Sequence, residues 1–387
     1  MELPLIVMAL FHVIGVKNFT SDYSNNPPIV FQKKVEVVPY LRFLHFCQLA
    51  DRSDNVLPAD TFQADPAMAL GGTALASSAN ISHWEKVADQ MIAEGVEASR
   101  KGRRKIDPTK AVLLSDIHIC GELVDGVSKH YPYNPTSLKL RVAEILSMRR
   151  LPAHVLVFGD VAWDYGLEED YRYASQLLQE LTEAGIRVTL AMGNHDRRAT
   201  FLSVFPDYAK TSPVEGRMVS IVEMPHVDIV LLDSLIERPD LKPRQSTTVS
   251  GGINQAQIDW LREFLKSHTR PVILGAHHPL GEMKNLEGVI AESPSVVGYI
   301  HGHNHIWDKS VRIIRPRKGL HMVPTVCLPA TFYGDIGFTI LRSTPEEVTF
   351  EYSSKGFWWP QPTDNPPQAW KSRAEDLAHE EYKFLLK

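Results

Sequence analysis

The chain has 387 residues, 44% of them hydrophobic and 22% charged, with a formal net charge of −5. That length supports one large domain with appended segments, and the mild negative balance excludes a global pull toward nucleic acid or anionic membrane, so any anion must be held by local groups. Cys47, Cys120 and Cys327 are odd in number and carry no C-x-x-C spacing, which argues against a disulfide framework or a cysteine zinc site and fits a reducing compartment.

The N-terminal stretch LPLIVMALFHVIGV is long enough for the apolar part of a signal peptide and too short for a membrane span; Glu2 precedes it, without Lys or Arg, and no small-x-small cleavage site follows. The expectation is a cytoplasmic protein with no stable span, with export or anchoring through residues 4–17 as the alternative. Residues 50–82 are small, polar and without period, which reads as a weakly ordered linker. A helix follows in HWEKVADQMIAEGVEASRKGRRK, with Trp84, Val87, Met91 and Ile92 spaced to share a face and the Lys101 to Lys105 cluster as a solvated exit. Residues 1–106 are therefore expected to be an N-terminal extension, partly helical.

From residue 107 short apolar runs alternate with amphipathic stretches, the pattern of strands buried on both faces between helices. The runs are AVLLS, HVLVF, IRVTLAM, DIVLL, PVILGA and VVGYI; the helices are expected at 136–150, 167–184 and 254–267, the last with Asn254 as N-cap and Gln257 as capping-box partner. GFTILRS and EVTFEYSS add strands, which sets the catalytic region at 107–356. The remainder, 357–387, reads as a Pro-rich tail with a short charged helix from about Ser372.

Five of the buried runs end in metal-competent residues. AVLLSDIHI brings Asp116 and His118, HVLVFGD brings Asp160, VTLAMGNHD brings Asn194, His195 and Asp196, VILGAHHP brings His277 and His278, and GYIHGHNH brings His303 and His305. Functional groups in open α/β sheets collect at the carboxyl ends of strands, so five such ends can converge. In extended chain Asp116 and His118 share one side, as do His303 and His305.

Each motif alone is weak, but their joint order resembles the calcineurin-like metallophosphoesterase superfamily over about residues 110–342. GGINQAQIDWLREFL before AHHP is similar to the bacterial cyclic-nucleotide phosphodiesterase branch. The resemblance implies a four-layer α/β/β/α sandwich carrying two metal ions. Asp116, His118, Asp160 and His305 would hold the first, and Asp160, Asn194, His277 and His303 the second, with Asp160 bridging. Mixed carboxylate, amide and imidazole donors suit Mn, Fe or Zn better than Ca²⁺. Two such ions about 3.5–4 Å apart acidify a shared water and clamp phosphoryl oxygens during in-line attack.

The resemblance further implies His195 as the acid that protonates the leaving oxygen, with Asp164 or Asp196 as the partner that orients it. Trp163 stands where similar protein phosphatases carry the aspartate that orients this acid, which is why its partner is left between those two, and where purple acid phosphatases carry a metal-binding tyrosine, which disfavours that branch. Arg197 and Arg198 could meet a substrate phosphate or lie at the surface; Trp163, Tyr165 and Trp307 could wall an aromatic group or pack under a loop. His278 and His301 fit an outer-shell or substrate-lining place better than ligation. The expected activity is a dinuclear metal-dependent phosphoesterase, a phosphodiesterase acting on a small molecule such as a cyclic nucleotide. The alternatives are a phosphomonoesterase acting on a small molecule or a protein, and a non-catalytic scaffold of the same fold. No basic track interleaved with aromatics points to a nucleic-acid polymer.

Overall fold

The computed structural model describes residues 78–124, 127–128, 134–238, 240–242, 244–314, 321–331, 335–353 and 381–386. The apolar N-terminal stretch, most of the expected linker and the Pro-rich part of the tail lie outside them. In chain order the elements are α1 (Ser78–Arg100), β1 (Lys105–Leu114), the two-stranded ribbon β2 (Leu123–Val124) and β3 (Val127–Ser128), α2 (Asn134–Ser147), β4 (Arg150–Val157), α3 (Glu168–Glu183), β5 (Arg187–Leu190), α4 (Arg198–Val204), α5 (Asp207–Thr211), β6 (Ser220–Glu223) and β7 (Asp228–Leu231). They continue with α6 (Gln255–Ser267), β8 (Val272–Gly275), α7 (Lys284–Glu292), β9 (Val296–His301), β10 (Asp308–Ile314), β11 (His321–Cys327), β12 (Phe338–Ser343), β13 (Glu347–Ser353) and β14 (Glu381–Leu385).

The strands form two six-stranded sheets, in the orders β14-β13-β12-β1-β4-β5 and β10-β11-β9-β8-β7-β6. β1, β4 and β5 run parallel, as do β7, β8, β9 and β11, while the outer strands join antiparallel. The apolar runs explain the layering, because both faces of each central strand are buried. Leu113, Leu156 and Phe158 of the first sheet meet Leu231, Ile273 and Ile300 of the second between the sheets. On the outer face of the first, Val112, Leu114 and Val155 pack with Ile92, Leu138 and Leu181 of α1, α2 and α3. On the outer face of the second, Val230 and Leu274 pack with Leu261 of α6 and Val289 of α7. The result is the expected α/β/β/α sandwich, and each buried Leu, Ile or Val in it contributes about 1.5–3 kcal/mol of apolar burial.

Three details depart from the sequence expectation. The buried face of α1 runs through Ala88, Ile92, Gly95 and Val96, with Val87 and Met91 half-buried at its edge. The contact line is set at Gly95, where an added Cβ would come 2.6 Å from Leu146 Cβ, so α1 and α2 touch backbone to side chain. Asn254 does cap α6, its side chain accepting from Gln257 N at 3.2 Å. Gln257, however, turns inward instead of closing a capping box: it is fully buried and exchanges two 2.9 Å hydrogen bonds with the backbone N–H and C=O of Asp233. Finally, residues 381–385, expected within a charged helix, form β14, because Phe384 and Tyr382 alternate with Lys383 and Leu385 and pair with β13. Phe384 fills the space left by Gly298, with its ring 4.5 Å from that of Phe350. Among the described residues, no helix is long and apolar enough to cross a membrane.

Candidate metal centre

The carboxyl ends of β1, β4, β5, β8 and β9 deliver their polar residues to one place, and the backbone there is unusual. Six non-glycine residues among those described have positive φ, and five of them are expected ligands: Asp116 (51°), His118 (42°), Asp160 (50°), His303 (69°) and His305 (56°). An L residue in this region costs about 1–3 kcal/mol, so the surroundings must hold it there. They do so through hydrogen bonds from the backbone: Asp116 N–H donates to Gly159 O at 3.2 Å, His118 N–H to Asp160 O at 2.9 Å, and His303 N–H to the Asp116 side-chain carboxylate at 3.1 Å. At Gly302 a Cβ would sit 1.8 Å from Ser115 Oγ, so no larger residue fits between the two loops.

Asp116, His118, Asp160 and His305 are all buried, with candidate ligand atoms within 4.8 Å of one another. His305 Nε2 is 3.0 Å from Asp116 Oδ1, and His118 Nε2 is 3.5 Å from Asp160 Oδ2. A second set gathers on His277 Nε2, which lies 3.1 Å from Asp160 Oδ2, 3.1 Å from Asn194 Oδ1 and 3.2 Å from His303 Nδ1. Asp160 belongs to both sets. The donors fit cations in a further respect. His118 Nδ1 faces Trp163 O at 3.0 Å and His277 Nδ1 faces Phe158 O at 2.8 Å, so each Nδ1–H is spent on a carbonyl and Nε2 is left to coordinate.

The electrostatics agree with a site built for positive charge. Burial would raise Asp116 and Asp160, but the neighbouring imidazoles outweigh it and hold both carboxylates low. Burial pulls His277 down, yet Asp160 and Asp116 push it up to about 10, a proton standing where the carboxylates call for a cation. His118 falls to about 4 and His303 to about 3, each mainly through burial, which favours the neutral ligand form. Cation uptake at such a cluster releases protons and strengthens as pH rises.

His277, His278 and His303 form a second close trio, but both His278 nitrogens are engaged, Nδ1 with Ser234 Oγ at 2.8 Å and Nε2 with Val249 O at 3.1 Å. His278 thus sits behind the ligands. His301 is buried, with Nδ1 on Gly302 O at 2.9 Å.

His195 lies beside the first set, its ring 4.8 Å from that of His118, and its Nδ1 is 3.1 Å from Asp164 Oδ1. Burial lowers its pKa, but Asp160 and Asp164 raise it to about 8. Of the two aspartates considered as its partner, Asp164 takes that place. Asp196 is fully buried and accepts from Gly193 N (2.8 Å), Ala162 N (3.0 Å), Val161 N (3.3 Å) and Tyr171 Oη (3.1 Å). It ties the β4 and β5 loops together, and its carboxylate is taken up by these four donors instead of by His195.

The expected substrate-binding residues divide. Trp163 is half-buried with its ring 6.0 Å from that of His118. Trp307 is 2% exposed and belongs to the core between the sheets, so it does not line the site. Arg198 is taken up by Asp233 at 2.7 and 2.8 Å, Glu237 at 3.1 Å and Leu235 O at 2.6 Å. Arg197 donates from one Nη2 to the carbonyls of Lys242 at 2.6 Å and Gln245 at 2.5 Å. The Arg198 guanidinium is thus taken up by carboxylates, while Arg197 uses only Nη2. Residues that sequence reasoning missed act through space. Tyr171 bonds Asp196 and Arg197 from α3, and Asp335 bonds His305 O and Trp307 N at the far side of the site. Nothing in their local pattern marks either.

A sequence profile described as calcineurin-like phosphoesterase matches residues 109–307. A probable cyclic nucleotide phosphodiesterase from Rhodococcus erythropolis is 29% identical over 173 residues, covering 43% of this chain and 51% of that protein. A second protein of that description, from Psychrobacter arcticus, is 27% identical over 217 residues, covering 50% of this chain and 69% of that one. The chain thus spans about half the length of the first relative. Among solved structures, TT1561 of Thermus thermophilus aligns with a TM-score of 0.36 at 10% identity, covering 72% of this chain and 99% of that one.

Proposed function

Because the chain belongs to the calcineurin-like phosphoesterase family, we propose that it is a metal-dependent phosphoric ester hydrolase and, more finely, a dinuclear phosphodiesterase acting on a small molecule. The observation that carries it is the gathering of seven donor residues into two sets that share Asp160. Asp116, His118, Asp160 and His305 would hold one cation and Asp160, Asn194, His277 and His303 the other, from the Mn, Fe or Zn group. When bound, such a pair supplies Lewis-acid polarisation of the phosphoryl group and a water acidic enough to attack at neutral pH.

The chain's own residues do the rest. His195 Nδ1 faces Asp164 Oδ1 at 3.1 Å, which leaves Nε2 to donate its proton to the departing oxygen. Asp160 also accepts His195 N–H at 2.9 Å, so the acid is fixed to the shared ligand itself. The diester reading is supported by the fate of the two arginines. A dianionic monoester calls for guanidinium groups around its terminal oxygens, whereas Arg198 is taken up by Asp233 and Glu237 and Arg197 Nη2 is held by two backbone carbonyls. The relatives described as probable cyclic nucleotide phosphodiesterases make a cyclic nucleotide the first physiological candidate. With Mn²⁺ the protein is expected to show higher kcat/KM on bis-p-nitrophenyl phosphate than on p-nitrophenyl phosphate, and to cleave cAMP. A clear preference for the monoester would overturn the diester reading in favour of a phosphomonoesterase.

A further inference from the structure

The loop between β7 and α6 is irregular, yet residues 244–252 are fastened across the metal-centre loops at one point after another. Ser246 Oγ donates to Asp164 Oδ1 at 3.2 Å, on the same oxygen that His195 Nδ1 faces. Thr247 Oγ1 donates to the backbone carbonyl of Asn194. Val249 O receives His278 Nε2 at 3.1 Å, and Gly251 N–H donates to the Glu282 carboxylate at 2.8 Å. Gly251 has no alternative, since a Cβ there would lie 2.2 Å from the His278 ring. At the other end Arg244, in the left-handed region at φ 55°, pairs with Glu122 at 3.1 Å. Arg197, two residues after His195, reaches the start of this segment through the carbonyl of Gln245 and the turn just before it through the carbonyl of Lys242.

We propose that residues 244–252 form a fixed strap that positions the Asp164–His195 pair and the Asn194 loop, and that Arg197 is the positioning residue that staples the strap down, serving the reaction without touching the phosphate. The proposal rests on the reading of His195 as proton donor. Its physical logic is geometric. Ser246 holds Asp164, Asp164 holds the His195 ring, and a ring free to swing by an ångström would donate poorly to the leaving oxygen. The strap in turn stays in register because Arg197 holds the Gln245 carbonyl at its start and the Lys242 carbonyl just before it.

Arg197→Ala in the full chain tests it, with Mn²⁺ present for turnover. Hydrogen exchange followed by mass spectrometry is expected to rise several-fold in peptides covering 241–252 and to stay unchanged in β4 and β8. Turnover is expected to fall roughly ten-fold for a phenyl leaving group, which needs the proton, and by less than about three-fold for p-nitrophenolate, with KM nearly constant for monoester and diester alike. Ser246→Ala should repeat the leaving-group dependence with a smaller loss, and Ser246→Thr should restore it. A KM that rises more for the dianionic monoester than for the diester, with unchanged exchange in 241–252, would make Arg197 a phosphate ligand and overturn the proposal. Wild-type protein that cleaves neither ester would overturn the hydrolytic reading itself, and the exchange measurement would still decide whether Arg197 staples the strap.

Discussion

The loops that carry the candidate ligands and the strap that crosses them meet at the same place but are built in opposite ways. The ligand loops are short continuations of buried strands, held in left-handed backbone conformations at Asp116, His118, Asp160, His303 and His305 by backbone hydrogen bonds. The strap is long, lacks regular structure and is held by single contacts from Asp164, Asn194, Arg197, His278 and Glu282. The difference teaches where each kind of precision comes from. A ligand must sit within a few tenths of an ångström of its ion, and a strand end pinned on both sides gives that; a wall or a supporting contact behind the ligands tolerates more, and distributed side-chain bonds of about 0.5–1.5 kcal/mol each suffice.

Substitutions should separate the two. His195→Ala, on a ligand loop, is expected to lower turnover by roughly 10²–10⁴ for poor leaving groups and less for p-nitrophenolate, with metal content retained. Steady-state kinetics on both esters checks this; equal losses on both would remove His195 from the acid role and weaken the contrast with the strap. The strap variant Arg197→Ala should cost about an order of magnitude at most.

A third position touches neither region. His154 lies within β4, buried, and burial, with the Arg187 charge added, lowers it from 6.5 to about 4. Because the folded value is below the unfolded one, the unfolded chain takes up a proton between pH 6.5 and 4 that the folded chain refuses. Stability is therefore unaffected above pH 6.5 and falls as pH drops from there toward 4. His154→Gln is expected to lessen that fall in the urea midpoint while leaving turnover at about pH 7.5 unchanged. An unaltered acid limb would show that His154 is already solvated in the fold.

The same contrast explains what can be read from the sequence. Apolar runs mark the central strands, and polar residues directly after them mark the candidate ligands, because a strand end converts sequence position into spatial position with little freedom. Asp164 can be narrowed only to a pair with Asp196, since which carboxylate faces His195 depends on the turn made by Trp163 and on the four donors that capture Asp196. Arg197 and Trp307 depart from expectation for a related reason: adjacency to a motif says nothing about which way a side chain leaves the backbone, and these leave toward the strap and the inter-sheet core. β14 escapes a sequence reading because Glu381, Lys383 and Leu385 make a short edge strand look like a charged helix, and only the gap at Gly298 shows where Phe384 goes.

In the proposed centre Asp160 would be shared by two cations. Metal content measured by inductively coupled plasma mass spectrometry on wild-type protein and on Asp160→Ala, both loaded with Mn²⁺ and desalted, tests it most directly. The account predicts two ions per wild-type chain, fewer than one in the variant with the far-ultraviolet circular dichroism unchanged, and loss of diesterase activity with the metal. A variant that keeps both ions and full activity would contradict it.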